Sequence, residues 1–319
     1  MQSNLEDIPF DAVADETGMT YTRFREQLSP RYSKVWRDIG KGYFFLVFFT
    51  GSCILLDYFF HVHWWIFVVP LAFLIGYTAA YLALFIHEAG HYNIHPSKKQ
   101  NDRLARWLLC LLFGLDIHSY RKIHWQHHLH LGTPQDTETS YFHHLSDLFI
   151  LESLTGIHLL RTMRKKSGPQ VLNEKQQAQS RQMLLLGAGL HLLLLATVAW
   201  LGYWVVAICW LLAFGIFFPF FATIRQLLEH RDELAKAGMD FTKTNHGKLS
   251  RLFVHSVLSS SFGAAGFTRH LVHHWDPQLS YTRLGDAERF LRRASATASI
   301  MQVCTTTYFS TFKKLRSAR

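Results

Sequence analysis

Two stretches of this chain carry almost no charge, and they restrict its fold more than any other feature. Gly42 to Ile86 contains one acid, Asp57, and Gln182 to Ile224 contains no charged side chain. Each is about 45 residues long, roughly twice the ~20 residues a helix needs to cross a bilayer, so each reads as a hairpin of two spanning helices. His61-Val62-His63 divides the first run and Leu201-Gly202-Tyr203 the second, which predicts helices at 42–60, 64–87, 183–200 and 204–224.

Charge orients the hairpins. None of the 33 Lys and Arg residues lies in either run, so all of them fall on the side that holds both termini and the long middle loop. Basic loops stay in the cytoplasm, which places that side in the cytoplasm of a bacterial inner membrane or facing the cytoplasm from the endoplasmic reticulum. The net charge of +10 then reads as attraction to anionic membrane lipid, with no nucleic-acid partner expected. The polar first forty residues argue against a cleavable signal peptide. Cys53, Cys110, Cys209 and Cys304 are isolated and are expected as small apolar fillers without disulfides.

The expected division is a cytoplasmic N-terminal segment, 1–41, a membrane domain, 42–285, and a basic cytoplasmic C-terminal tail, 286–319. Within the middle loop, 105–115 is apolar but too short to span and reads as an interfacial helix. Residues 146–163 read as a second amphipathic stretch and 164–181 as a solvated one. The fold class expected is all-α and membrane-integral: four transmembrane helices in two hairpins, with a cytoplasmic helical cap holding a histidine-rich di-metal site.

That site is read from three histidine clusters among 20 histidines. They are His87-Glu88-Ala89-Gly90-His91, His124-Trp125-Gln126-His127-His128 and His270-Leu271-Val272-His273-His274. On a helix, positions i, i+3 and i+4 lie at about 0°, −60° and +40°, so each of the two denser clusters aims three imidazoles one way. All three clusters sit near membrane boundaries on the expected cytoplasmic side. Eight imidazoles exceed the about four that a zinc site takes and suit two metal ions. Imidazole suits iron, copper and zinc, and iron fits a membrane-facing site for O₂ chemistry on lipid. The remaining histidines read as surface or hydrogen-bonded residues, among them His95, His118, His130, His143, His144, His158, His246 and His255. His191, inside the third spanning helix, reads as an interhelical hydrogen-bonding group.

HEAGH, HWQHH and HLVHH, in this order around the second hairpin, resemble the three histidine boxes of the membrane fatty acid desaturase/hydroxylase superfamily. The resemblance covers roughly residues 40–285, including the sequence around Phe267-Thr268-Arg269-His270 and Tyr281-Thr282-Arg283-Leu284. It implies two iron ions held by histidines, O₂ as co-substrate, and attack on an unactivated C–H bond of a lipid or acyl substrate. It also implies one further histidine ligand shortly after the fourth helix, and His230 occupies that position. A helix continuing six residues beyond Ile224 would carry His230 about 9 Å further, near the depth of His87 and His91. The implied metal ligands are therefore His87, His91, His124, His127, His128, His230, His270, His273 and His274. Glu88, Glu229 and Asp276 are candidates to hydrogen-bond the outer N–H groups of those rings. No His-Pro-Gly-Gly heme signature is present, so an external electron donor of the ferredoxin, rubredoxin or cytochrome b5 type is implied.

Desaturation is the first reading and lipid or hydrocarbon hydroxylation the second. HEAGH also matches the HExxH zinc-protease motif. That distant alternative leaves six clustered histidines unexplained and finds its only intramembrane acid, Asp57, near the wrong membrane face.

Overall fold

The computed structural model describes residues 4–59, 64–158, 160–161, 171–236 and 238–318. In chain order the helices begin with α1 (Tyr21–Glu26), α2 (Tyr32–Phe59), α3 (Trp64–Gly90) and α4 (Lys98–Ala105). There follow α5 (Ile117–His130), α6 (Asp147–Leu154), α7 (Glu174–Trp200) and α8 (Trp204–His230). The chain ends with α9 (Val257–Phe262), α10 (His270–Trp275), α11 (Tyr281–Arg293), α12 (Ala298–Val303) and α13 (Tyr308–Ser317). Two short strands, β1 (Leu252–Phe253) and β2 (Thr305–Thr306), pair in parallel.

Four helices, α2, α3, α7 and α8, are long and apolar enough to cross a membrane. Each outruns the apolar stretch that announced it. The sequence runs mark where side chains must be apolar, whereas a helix continues until its backbone is capped. α7 starts at Glu174 rather than 183, because Asn173 and Gln176 form a reciprocal capping box on its first turn. The break at Leu201-Gly202-Tyr203 is real, with Gly202 at φ +85°. The proposed break at His61-Val62-His63 and residues 162–170 of the loop lie outside the described residues.

The chain divides into two compact units. One comprises Trp36–His124 and Ser146–Arg225 and holds most of the spanning helices. Its core joins α3 to α8 through Ile75, Leu82, Val206, Cys209 and Trp210. Gly76 permits the contact: a Cβ there would lie 2.5 Å from the Phe217 Cβ and 2.8 Å from the Ala213 carbonyl. The facing part of α8 is a π turn, Ala213–Phe217, just ahead of Pro219, which has no N–H to return to the Gly215 carbonyl. α2 and α7 show mostly apolar surface, with only 22% and 11% of their most apolar stretches buried. Leu185, Leu192, Leu193 and Phe44 are exposed. In water each would forgo about 1.5–3 kcal/mol, a cost that acyl chains remove.

The short apolar run after α4 continues through a π turn, Arg106–Cys110, to Phe113. It packs on α7, where a Cβ on Gly187 would meet the Gly114 Cα at 2.7 Å. His191 on α7 reaches this run as expected of an interhelical group. Its Nε2–H donates to the Leu112 carbonyl at 2.9 Å, and its Nδ1 accepts from Trp210 Nε1 at 2.8 Å.

The other unit comprises Met1–Val35, Trp125–Leu145 and Gln226–Arg319. Its core gathers Leu5, Val13 and Tyr21 with Leu271, Val272, Leu284, Phe290, Leu291 and Met301. The segments read as an N-terminal tail and a basic C-terminal tail are thus core elements here. Their apolar residues are too widely spaced to form a run, so they carried no signal at the level of hydropathy. All four cysteines are free.

Candidate metal centre

In the second unit, four histidines from three chain segments converge. His127 comes from α5, His230 is the last residue of α8, and His270 and His274 lie one turn apart on α10. All four are buried. His270 Nε2 is 2.9 Å from His230 Nε2 and 3.2 Å from His274 Nε2. One ring nitrogen of each of the four lies within 4.8 Å of the others. Nitrogens bound to one ion at about 2.0–2.1 Å sit about 3.0 Å apart at right angles and about 3.4 Å apart in a tetrahedron, so this spacing fits a shared cation. A further pair in the same unit, His128 and His273, has its Nε2 atoms 3.2 Å apart.

Two rings have their tautomer set by what lies behind them. His230 Nδ1 meets the Leu249 carbonyl at 2.8 Å. His127 Nδ1 meets both oxygens of Asp136, at 2.9 and 3.1 Å. Neither acceptor can donate, so each Nδ1 carries the proton and each Nε2 an inward lone pair. Burial, and then the neighbouring His128, His270, His230 and His127, hold His274 well below the usual histidine value. It stays neutral and able to ligate at neutral pH.

In the first unit, His87, His91 and His124 form a second cluster. His124 Nε2 is 3.0 Å from His91 Nε2, and the His87 ring lies 4.5 Å from that of His124 and 4.9 Å from that of His91. His87 lies in the last turn of α3, and the chain turns away at Tyr92, which adopts φ +62°. Arg121, one turn before His124 on α5, locks this corner: it donates to the Gly90 carbonyl at 2.8 Å and the Ala89 carbonyl at 3.1 Å. Tyr120 stacks on His124 with an interplanar angle of 9°.

These histidines sit in a region, residues 63–304, that matches the family model for fatty acid desaturases. The chain belongs to the fatty acid desaturase family. No curated protein matches it as a relative. Membership makes this desaturase-family protein an oxidoreductase of the lipid desaturase/hydroxylase type acting in a membrane setting, and its histidine clusters are groups that could hold metal.

The three acids singled out from sequence occupy different positions. Glu88 is fully buried, with Oε1 3.8 Å from His87 Nδ1. Glu229 Oε2 lies 4.0 Å from His270 Nε2, on the nitrogen-bearing side of the cluster rather than behind a ring. Asp276 does not reach a histidine. It accepts from Tyr21 at 3.0 Å and from Arg25 at 2.6 and 3.0 Å, because the N-terminal segment folds against this face.

Two acids that sequence reading passed over stand beside the rings. Asp136 follows His127 by nine residues, in a Gly-Thr-Pro-Gln-Asp turn. Tyr141 donates to it, and the backbone N–H of Glu138 does so at 2.7 Å. Burial, followed by the Asp136 charge, pushes the Tyr141 phenol up. Gly132 starts the turn at φ +74°, where a Cβ would lie 2.2 Å from the Gly247 carbonyl. A carboxylate in a Gly/Pro turn just past a histidine helix was the available signal. The other is Glu6, whose Oε1 is 4.0 Å from His274 Nδ1. Burial pushes its carboxyl up to about 7, against the pull of Lys248 and His127. A cation held by the cluster would favour its ionised form.

His246, read as a surface or hydrogen-bonded residue, is buried against Tyr141, Phe142 and Phe241. Its Nε2 accepts from the Asp232 N–H at 3.1 Å, and its own N–H donates to Gly132 at 2.6 Å. His158 is also buried, against Phe149. His255, read as a surface or hydrogen-bonded residue, is exposed and meets the Ser260 hydroxyl at 3.1 Å.

Proposed function

We propose that this protein desaturates a lipid acyl chain, taking two hydrogens from adjacent methylenes and consuming O₂, two electrons and two protons to yield a C=C bond and two waters. The proposed ligands are His87, His91, His124, His127, His128, His230, His270, His273 and His274, holding two irons. The observation that carries the reading is the buried group His127, His230, His270 and His274, one ring nitrogen of each within 4.8 Å of the others, in a chain of the desaturase family. Two irons so held would supply, with O₂, the oxidant that an unactivated C–H bond requires.

The chain's own residues supply the rest. Asp136 and the Leu249 carbonyl keep the Nδ1 protons of His127 and His230 in place, so that their Nε2 atoms face the cluster without a proton to lose. Nine neutral ligands leave about four positive charges uncompensated, which the buried carboxylates of Asp136, Glu88 and Glu229 and the half-buried one of Glu6 offset in part. Basic residues flank but never enter the apolar runs, so we place the histidines and both termini on the cytoplasmic face. A small external redox protein delivers the electrons.

Metal analysis of protein purified with iron supplied, together with lipid profiling by mass spectrometry of cells that express it, tests this. About two irons per chain and new O₂-dependent double bonds are expected. Hydroxylated lipid without new double bonds would move the protein to the hydroxylases, and stoichiometric zinc with peptide-bond cleavage would overturn the reading. Reporters fused at both termini should be cytoplasmic and one at Gly202 should not.

A further inference from the structure

The N-terminal segment grips three consecutive residues at the end of the third histidine box. Glu6 Oε1 stands 4.0 Å from His274 Nδ1. The Ile8 carbonyl accepts from Trp275 Nε1 at 2.8 Å. Tyr21 and the guanidinium of Arg25 both donate to Asp276. Phe10 and Tyr21 close on the Trp275 ring at 4.5 and 4.4 Å. At its start the segment also ties to the loop behind His230: Asn4 Nδ2 donates to the Lys248 carbonyl at 3.0 Å, next to the Leu249 carbonyl that holds the His230 ring.

Apolar packing accounts for Leu5, Tyr21 and Trp275, but not for an acid at position 6. Burying a carboxylate is unfavourable unless a cation or donor answers it. Lys248 pairs with Asp7 at 3.9 Å, and among the described residues the group within ion-pair distance of Glu6 is His274. The His274 ring turns Nε2 inward, toward His270, and Nδ1 outward, toward Glu6. The acceptor stands on the same outer side as Asp136 behind His127 and Leu249 behind His230, but at 4.0 Å instead of the 2.8–3.1 Å of those hydrogen bonds. It arrives from the far end of the chain.

We propose that the N-terminal segment serves the metal centre through Glu6, the positioning residue for His274, which answers its Nδ1–H while Nε2 binds metal. This rests on the metal-centre reading above. A ring bound through Nε2 becomes a stronger donor at Nδ1, and loss of such an outer acceptor lowers metal affinity by about 10- to 100-fold.

The test uses full-length protein in detergent, loaded with iron, and follows metal content and the rate of metal loss to a chelator. Glu6→Gln should lose one iron about 10- to 100-fold faster than wild type, and Glu6→Asp should recover part of the difference. Tyr21→Phe, which removes one hydrogen bond from the same segment and leaves its packing in place, should stay within about twofold of wild type. The thermal midpoints of the metal-free Glu6→Gln and Tyr21→Phe proteins should be alike, which a purely structural role for Glu6 would not give. Wild-type retention by Glu6→Gln would overturn the inference while leaving the metal centre intact. Equal losses in Glu6→Gln and Tyr21→Phe would overturn it too, by reducing Glu6 to packing. A wild-type protein that holds no metal would sink the reading beneath it.

Discussion

The cytoplasm-facing ends proposed for α3 and α8 both deliver histidines, and both are capped by a buried arginine, but the two caps are built differently. At the end of α3, Arg121 bonds the Ala89 and Gly90 carbonyls, pairs with Asp102 and lies 3.7 Å over the Tyr92 ring. The Ala89 carbonyl has a second donor, Asn101 Nδ2 at 2.9 Å. At the end of α8, Arg251 donates to the Leu228 carbonyl at 3.0 Å and to the Arg231 carbonyl at 2.5 Å. Its nearest acid, Glu233, is 3.7 Å away, and burial lowers its pKa to about 10. Each arginine also ties in a second histidine. Arg121 precedes His124 by one turn, and the Arg251 carbonyl accepts from Leu271, beside His270, at 3.1 Å. The last carbonyls of a helix have no partner within it, and a guanidinium that satisfies them from a ligand-bearing segment fixes two distant ligands in one contact. The α3 cap has a spare donor; the α8 cap has none among the described residues.

The ligands themselves should show the largest effects. His230→Ala or His270→Ala should cost iron and reduce turnover by more than about 100-fold, beyond the range of an outer partner. His124→Ala in the other cluster should do the same. If His230→Ala keeps two irons and near-normal turnover, the α8 end is structural and the likeness between the two ends fails.

Next come the caps. Arg251→Leu leaves two buried carbonyls without donors, at about 1–3 kcal/mol each, whereas Arg121→Leu leaves the Ala89 carbonyl with Asn101. Denaturant unfolding in detergent should therefore show Arg251→Leu costing roughly twice as much as Arg121→Leu. Adding Asn101→Leu to Arg121→Leu should cost more than the two single changes together. Equal losses for the two arginine variants would remove the contrast.

Asp136→Asn is expected to lower iron affinity by about 10- to 100-fold with little change in unfolding, and an unchanged affinity would mean that the His127 tautomer is set elsewhere. The smallest effect on the centre should come from His246→Ala. It removes a buried ring wedged among three aromatics, for about 1–3 kcal/mol of stability, and retains both irons. Loss of iron would bring His246 into the ligand question.

The four spanning helices and the three histidine boxes were legible in the sequence because each signal is local. An uncharged run measures itself against bilayer thickness, and HWQHH aims its rings by helical period alone. His230 was legible as well, by its distance from Ile224 along a continuing helix. Asp136 was half legible, as an acid in a Gly/Pro turn. Asp276 misled, since two residues after His274 is close in sequence but points toward Tyr21 and Arg25.

By itself, then, the sequence determined that the chain has helices long and apolar enough to cross a membrane and that histidines crowd the ends of two of them, because hydropathy and ring spacing on a helix depend on neighbours a few residues away. Only the tertiary structure decided which acids stand behind which rings. Glu6 and His274 are far apart along the chain, and nothing in the local pattern of Leu-Glu-Asp distinguishes it from a solvated tail. The backbone caps were equally hidden, since an arginine reads as surface charge until the helix end it satisfies is known. Those pairings arise from closing long loops around a buried core, where a polar group is retained only if its partner is brought to it.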